Sequence, residues 1–373
     1  MSNPTAGDIA PRWRALLLLL GLVCLVTGVS AGLFLLGWPL LLPAPHIIPL
    51  HGPLMVSGFF GTVIALERAV ALGRRPAYLG PLASGLGGVL LVGGAPLVAG
   101  QLLLALGSLG LVLSSLSVWR RQRALFTLTL LLGAGCWLAG NLLWLSGREL
   151  AELLPCWAGF LVLTIAGERL ELSRFLPPAP RAKRVFAVIV AVLITGMAGA
   201  ALGVPGAVTW FAAGLLLLAA WLVKQDIARR TVRKDGVTRF IAVCLLAGYA
   251  WLALAGAILL FAGALVPGTS SYDAALHALM LGFVFSMVFG HAPVILPAVA
   301  RIALPYHRGF YLPLVVLHAS VTLRLAGDLA GRPDLRSAGG LLNATALLVF
   351  VLGMLWTVVR SRRQDAMSAS HRS

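Results

Sequence analysis

The sequence predicts an all-α polytopic membrane protein, with twelve transmembrane helices in three four-helix arcs around a pseudo-threefold axis. Of the 373 residues, 60% are hydrophobic and only 11% are charged, whereas about 25% of a typical soluble chain is charged. Apolar runs of about 20 residues, each long enough to span a bilayer, recur along the whole chain. A third observation, an internal repeat, predicts the three arcs.

Twelve apolar runs alternate with short loops that carry turn signals such as "GRRP", "GVPG" and "LVPGTSS". The first run is too long for the core of a signal peptide, so we interpret it as a helix. We expect residues 1–373 to form a single membrane domain that ends in a flexible tail at 361–373. The predicted spans are 15–37, 51–72, 79–99, 101–118, 125–146, 152–170, 185–203, 206–224, 240–264, 275–297, 310–328 and 338–360.

The formal net charge of +17 indicates topology rather than nucleic-acid binding. Cations cluster before the first span and after every second span, as in "RRQR" at 120–123 and "RRTVRK" at 229–234. The opposite loops hold only Arg148, Arg332 and Arg336. Because basic loops stay in the cytoplasm, both termini are predicted to be cytoplasmic. We therefore expect no nucleic-acid partner, and a weak attraction to anionic membrane lipid.

A repeated segment links the second and sixth spans. "GFFGTVIALER" at 58–68 and "GFLVLTIAGER" at 159–169 share six identities in eleven positions without a gap. The tenth span holds a fainter copy, "GFVFSMVFGH" at 282–291, in which the histidine falls near the glutamate position. Membrane proteins often contain such weak internal symmetry. A period of four helices predicts that spans two, six and ten occupy equivalent places lining the centre.

Two histidines stand at matched depth near the outer ends of spans two and ten. His51 begins the second span and His277 lies near the start of the tenth. Each could offer a neutral ring nitrogen to one side of a haem iron. Gly52, Gly58 and Gly282 would let a flat macrocycle approach the backbone. The alternative is that each histidine only bonds a carbonyl at a helix end.

A second polar group is predicted near the cytoplasmic ends of the spans. His291 and His318 are expected at similar depth, and Glu67 and Glu168 end the repeated segments. Such a set could bind copper or another divalent metal, or relay protons. The alternative is that each glutamate pairs with its adjacent arginine or extends to the interface.

Further polar or polarisable residues lie close to His51 and His277. Met280 follows His277 by three residues on the same helix face, where it could ligate iron or pack in the core. Arg324 and Asp328 are spaced i, i+4 in the outer half of the eleventh span. Two interpretations stay open: a local ion pair, or an Arg324 that meets a haem propionate.

The C-terminal third of the chain resembles the NnrS family of bacterial membrane proteins. The matching features are "HALMLGF" with His277, the loop "ARIALPYHRG", and "LRLAGDL" on the eleventh span. "LHGPLMVSGFFG", which contains His51, is similar to that family's histidine-bearing helix. The resemblance implies a twelve-helix protein of the bacterial inner membrane that is linked to haem, copper and the response to nitric oxide.

More distantly, the architecture resembles the catalytic subunit of haem-copper oxidases, whose low-spin haem is held by histidines of helices two and ten. Carried over, those ligands fall on His51 and His277. Spans 152–170 and 185–203 lack the histidines that would ligate copper there. Ala275 and Leu279 stand where a second histidine of the tenth span would be needed. The resemblance therefore does not extend to an oxygen-reducing haem-copper centre.

These observations favour a membrane protein with a b-type haem between His51 and His277, acting in nitric oxide handling or electron transfer. Whether it is an enzyme is left open. A twelve-helix secondary transporter of a small solute is the alternative, although its class predicts a repeat of six helices. A scaffold without a cofactor is a third possibility.

Overall fold

A computed structural model describes residues 8–39, 44–172, 180–302 and 304–370, and helices joined by loops and turns make up these ranges. No strand occurs within these ranges. A short helix, Ala228–Thr231, precedes α9. The long helices are α1 Pro11–Leu35, α2 Pro45–Leu72, α3 Leu79–Val92, α4 Leu97–Arg121, α5 Leu125–Leu145, α6 Leu150–Leu172, α7 Pro180–Ala201, α8 Ala207–Gln225, α9 Gly236–Ala262, α10 Ser270–Val299, α11 Arg308–Leu329 and α12 Pro333–Ser370.

Within the described residues, eleven helices are long and apolar enough to cross a membrane, in agreement with a polytopic membrane fold. The third predicted span differs. Helix α3 has 14 residues and rises only ~21 Å, less than the ~30 Å of a bilayer core. It ends at "GGAP", where Gly94 has a φ of 78° and the Ala95 amide donates to the Leu90 carbonyl. The predicted span of 79–99 is therefore too long, because the turn at "GGAP" ends the helix at Val92.

The last helix also differs from its predicted end at 360. Helix α12 continues to Ser370, so most of the expected tail is helical. Residues 371–373 lie outside the described part of the chain.

Helices α2, α6 and α10 form the interior of the bundle. Each helix packs against the next one along the chain, and α12 returns to contact α1. Helix α10 contacts both α2 and α6. Helix α6 is the most enclosed of these, since 78% of its apolar window is buried. The central position predicted for the repeated segments agrees with these contacts.

Helices α2 and α10 share a local irregularity that begins within three residues after His51 and His277. The turns at Leu54–Phe60 and Ala278–Phe285 are π-helical, a geometry that is rare and is often found at functional sites. The two segments meet through aromatic rings. Phe285 stacks on Phe59 at a centroid distance of 6.3 Å and meets Phe60 edge-on at 5.2 Å.

A buried hydrogen-bond network ties α2 to its neighbours. The Ser57 hydroxyl donates to the Asn141 side-chain oxygen at 2.9 Å and accepts from Trp137. Asn141 also accepts from Trp157 and donates to the Leu104 carbonyl. One asparagine thus connects α2, α4, α5 and α6. Because the bilayer offers these groups no water, each depends on its partner inside the protein.

A polar cluster lies at the end of the bundle where α1 begins. Asp8 accepts from the Tyr78 hydroxyl at 2.5 Å and forms an ion pair with Arg14. Arg14 is buried and donates to the Val299 carbonyl at the end of α10. Burial raises the pKa of Tyr78, so the phenol stays protonated and donates. The cluster fixes α1, α3 and α10 to one another.

Replacing Asn141 with alanine is expected to destabilise the fold by about 2–3 kcal/mol. Three hydrogen bonds would be lost, and such bonds contribute about 0.6 kcal/mol on average and up to about 1.7 kcal/mol in membrane proteins. Thermal unfolding in detergent, followed by circular dichroism, measures the change. Thr322→Ala is the control, because that hydroxyl is exposed and bonds only within its own helix. Equal midpoints for the two variants would contradict the role of the network.

Candidate functional site

Two cavities lie one above the other between the central helices. The outer cavity has a volume of about 520 Å³ and the inner cavity about 300 Å³. Both are lined by α1, α2, α6, α10 and α12. Phe60, Phe285 and Leu347 line both cavities and form the wall between them. Helices α2, α6 and α10 each run from the outer cavity to the inner one.

His51 and His277 both line the outer cavity. The Nδ1 atom of His51 lies 2.7 Å from the Gly28 carbonyl, and Nδ1 of His277 lies 2.7 Å from the Asp273 carbonyl. A carbonyl oxygen only accepts, so both rings carry their proton on Nδ1. The Nε2 lone pairs remain available. Metal-binding histidines are commonly oriented by such a bond from the other ring nitrogen.

The space beside His51 depends on a glycine that sequence reasoning missed. A Cβ at Gly32 would lie 2.8 Å from the imidazole, so only glycine leaves room for the ring. Of the three glycines expected to face a macrocycle, Gly52 lines the cavity. Gly58 instead packs against Cys24, and Gly282 packs against Trp251.

One end of the outer cavity is charged. Arg324 donates to the Asp273 carboxylate through Nε at 3.2 Å and Nη2 at 2.9 Å, so it bridges α11 to α10. The expected local pair with Asp328 does not form, because Asp328 lies 3.2 Å from Nε of Arg336 instead. Arg336 also reaches Asp273 at 3.4 Å. Arg324 and Arg336 both line the cavity.

Asp273 joins this charged end to one of the histidines. The Asp273 carboxylate lies 3.4 Å from Nδ1 of His277. The same ring nitrogen donates to the backbone carbonyl of Asp273. Sequence reasoning missed Asp273, although its i, i+4 spacing to His277 was a usable signal. The carboxylate can hold the His277 tautomer and increase the basicity of Nε2.

The rest of the outer cavity is mainly apolar. Met280 lines it on the same helix face as His277, together with Val56, Leu281 and Trp157. Its volume falls in the range of about 300–1,000 Å³ found for small-molecule and cofactor sites. A large apolar space with two imidazoles and a charged end suits a flat, amphipathic ligand.

The second predicted group is assembled only in part. The inner cavity is lined by Glu67, Glu168 and His291. These three residues occupy the same position in the three copies of the repeat. His318 does not join them. Its Nδ1 accepts from Trp251 at 2.9 Å, and its ring stacks on that indole. In the part of the chain that the structure describes, no three His, Cys, Asp or Glu side chains form a metal-binding group.

Comparison with protein families assigns the chain to a family. The family model described as "Domain of unknown function (DUF8744)" matches residues 14–359. No curated protein matches the chain.

Replacing Asp273 with alanine is expected to destabilise the protein by about 3 kcal/mol, because it leaves the buried Arg324 without its carboxylate. Denaturation in SDS-containing mixed micelles measures the loss. Asp334→Ala is the matched control: it removes an equivalent carboxylate–arginine pair that is more than half exposed on both sides. This control should leave the midpoint unchanged. Two variants of equal stability would show that Asp273 does not hold Arg324.

Proposed function

Because the chain belongs to the DUF8744 family, a domain of unknown function, we propose a function from the site itself. The protein is a multi-pass membrane protein that binds a b-type haem in the outer cavity, with His51 and His277 as axial ligands. In this respect it is similar to the NnrS family. Its proposed location is the bacterial inner membrane, with both termini in the cytoplasm.

The observation that carries this proposal is that the two imidazoles have the same tautomer and the same kind of hydrogen bond. Both bond a backbone carbonyl through Nδ1, and both line the same cavity. Axial ligation needs an unprotonated nitrogen from each ring, which Nε2 supplies in both cases. Histidines that served only to satisfy helix ends would have no reason to face one shared space.

The arginines at the charged end of the cavity support placing the haem propionates there. Arg324 uses Nε and Nη2 on Asp273, which leaves Nη1 free for a propionate. Arg336 contributes a second guanidinium. In this arrangement Asp273 orients Arg324 and His277 together, so that one carboxylate positions both a ligand and an anchor.

His51 and His277 would hold the haem, which would supply one-electron chemistry, or a site for a diatomic ligand such as nitric oxide if one of the two histidines released it. Of the two ligands, His277 is held more firmly, because the Asp273 carboxylate and carbonyl both face its Nδ1. His51 has the single carbonyl of Gly28. We therefore assign His51 as the ligand that would yield to a diatomic molecule. A second metal is not part of the proposal, since His318 does not join Glu67, Glu168 and His291, and no metal-binding group occurs among the described residues.

A secondary transporter is the second candidate. Two cavities in line, separated by the wall of Phe60, Phe285 and Leu347, could belong to a discontinuous solute path. Transporter sites often lie where central helices are irregular, as α2 and α10 are at their π-helical turns. The free imidazole nitrogens favour the haem protein, because a solute path does not require them.

We also propose that α3 acts as a full span despite its length, giving twelve crossings in three arcs. Helices α2 and α10 run in the same direction, since His51 and His277 share one cavity while Glu67 and His291 share the other. Parallel α2 and α10 require an odd number of crossings between them, and the six helices α4 to α9 are each long and apolar enough to cross, so α3 is the seventh in this proposal. The equivalent positions of Glu67, Glu168 and His291 support the threefold arrangement.

The haem proposal predicts a b-type reduced-minus-oxidised spectrum for the protein purified in detergent after expression with haem available. His51→Ala and His277→Ala should each remove most of the bound haem, measured as pyridine haemochrome per protein. His46→Ala is the matched control, because that imidazole is exposed and bonds the Val92 carbonyl away from the cavity. A folded protein that is colourless under these conditions would favour the transporter.

The crossing of α3 predicts opposite locations for the loops at its two ends. Single cysteines at Arg74 and at Ala95, in a variant lacking the four native cysteines, should react differently with a membrane-impermeant maleimide added to intact cells. Only the cysteine at Ala95 should be labelled from the periplasmic side. Labelling of both positions from the same side would show that α3 does not cross.

A further inference from the structure

The inner cavity presents hydrogen-bond acceptors to its interior. Glu67 and Glu168 contribute carboxylate oxygens. Nδ1 of His291 donates to the Met287 carbonyl at 2.9 Å, which leaves its Nε2 as an acceptor. The hydroxyl of Thr164, which also lines the cavity, donates to the Phe160 carbonyl at 2.7 Å. A complementary ligand therefore carries hydrogen-bond donors.

The carboxyl groups of Glu67 and Glu168 remain available to a ligand. Among the described residues, neither Glu67 nor Glu168 takes part in a hydrogen bond or in an ion pair within 4 Å. In the described ranges no group of three His, Cys, Asp or Glu side chains could hold a metal ion, which favours an uncharged organic ligand at these carboxyl groups.

The remaining lining of the inner cavity is apolar, and it extends to the outer face of the bundle. Leu18 and Leu22 of α1 and Val358 of α12 line it. Leu355 lines it as well and is 56% exposed on the outer surface of α12. A lipid-soluble molecule could therefore enter between α1 and α12 directly from the bilayer. About 300 Å³ is at the small end of ligand sites, enough for a single substituted ring.

We propose that the inner cavity is a binding site for a lipid-soluble hydroquinone. Its ring lies among the apolar side chains, and its two hydroxyl groups donate to Glu67, Glu168 or His291. A hydroquinone joins an apolar body to two donors without charge, as the cavity requires. The inference is independent of the haem proposal, because the site uses none of the residues of the outer cavity except those of the shared wall.

The test uses the full-length protein in detergent, titrated anaerobically with tetramethylhydroquinone in a calorimeter. We expect saturable binding at one site. Glu67→Gln and Glu168→Gln should each weaken it about tenfold or more, since each replaces an acceptor oxygen of the carboxyl group with an amide NH2 that only donates. Ala292→Phe should abolish binding by filling the cavity without removing a polar group. Glu152→Gln, an exposed carboxylate paired with Arg148 at the other end of the bundle, is the matched control.

A second probe, the dimethyl ether of tetramethylhydroquinone, has the same ring but no donors. It should bind at least tenfold more weakly than the hydroquinone. Equal binding of the two probes, or unchanged binding of the hydroquinone in Ala292→Phe, would overturn the proposal. His51→Ala should keep full hydroquinone affinity, so loss of haem and loss of hydroquinone binding are distinguished in one set of variants.

Discussion

Every polar group on the central helices must find its partner inside the protein, because a bilayer core offers none. This constraint divides those groups into two kinds. Ser57, Asn141 and the two indoles beside them satisfy one another and fix α2 against α4, α5 and α6. The imidazoles and glutamates of the cavities keep unused acceptor positions instead. Unused acceptors are costly in this environment, so their concentration in two cavities supports the ligands that we propose for them.

The π-helical turns show how the fold brings the two histidines to one space. A π turn inserts an extra residue and rotates the side chains before it relative to those after it. In α10 the π-helical turn begins directly after His277, and in α2 it begins three residues after His51. The rings of Phe59, Phe60 and Phe285 then close the helices together beneath the outer cavity. The π-helical turns of α2 and α10 thus lie where the outer cavity meets the inner cavity.

Ion pairs fix the side chains at one end of the outer cavity, whereas the rest of its lining is mainly apolar. Asp273 faces Arg324, Arg336 and His277 at once, so the positions of three side chains depend on one carboxylate. Breaking a buried pair costs more than forming it contributes, which makes this cluster a fixed edge of the site. The inner cavity lacks such internal pairing, and its carboxyl groups face apolar walls that reach the lipid-facing surface.

The sequence alone determined the helical membrane class and most span boundaries, and it predicted the central place of the repeated segments and a common location for His51 and His277, which line one cavity. These follow from hydropathy, length and period, which are local properties of the chain. Only the tertiary structure decided that Arg324 pairs with Asp273 and not with Asp328, that His318 bonds Trp251, and that Gly32 makes room for His51. Helix spacing gives the candidates for each contact, but the rotation and depth of neighbouring helices select the partner.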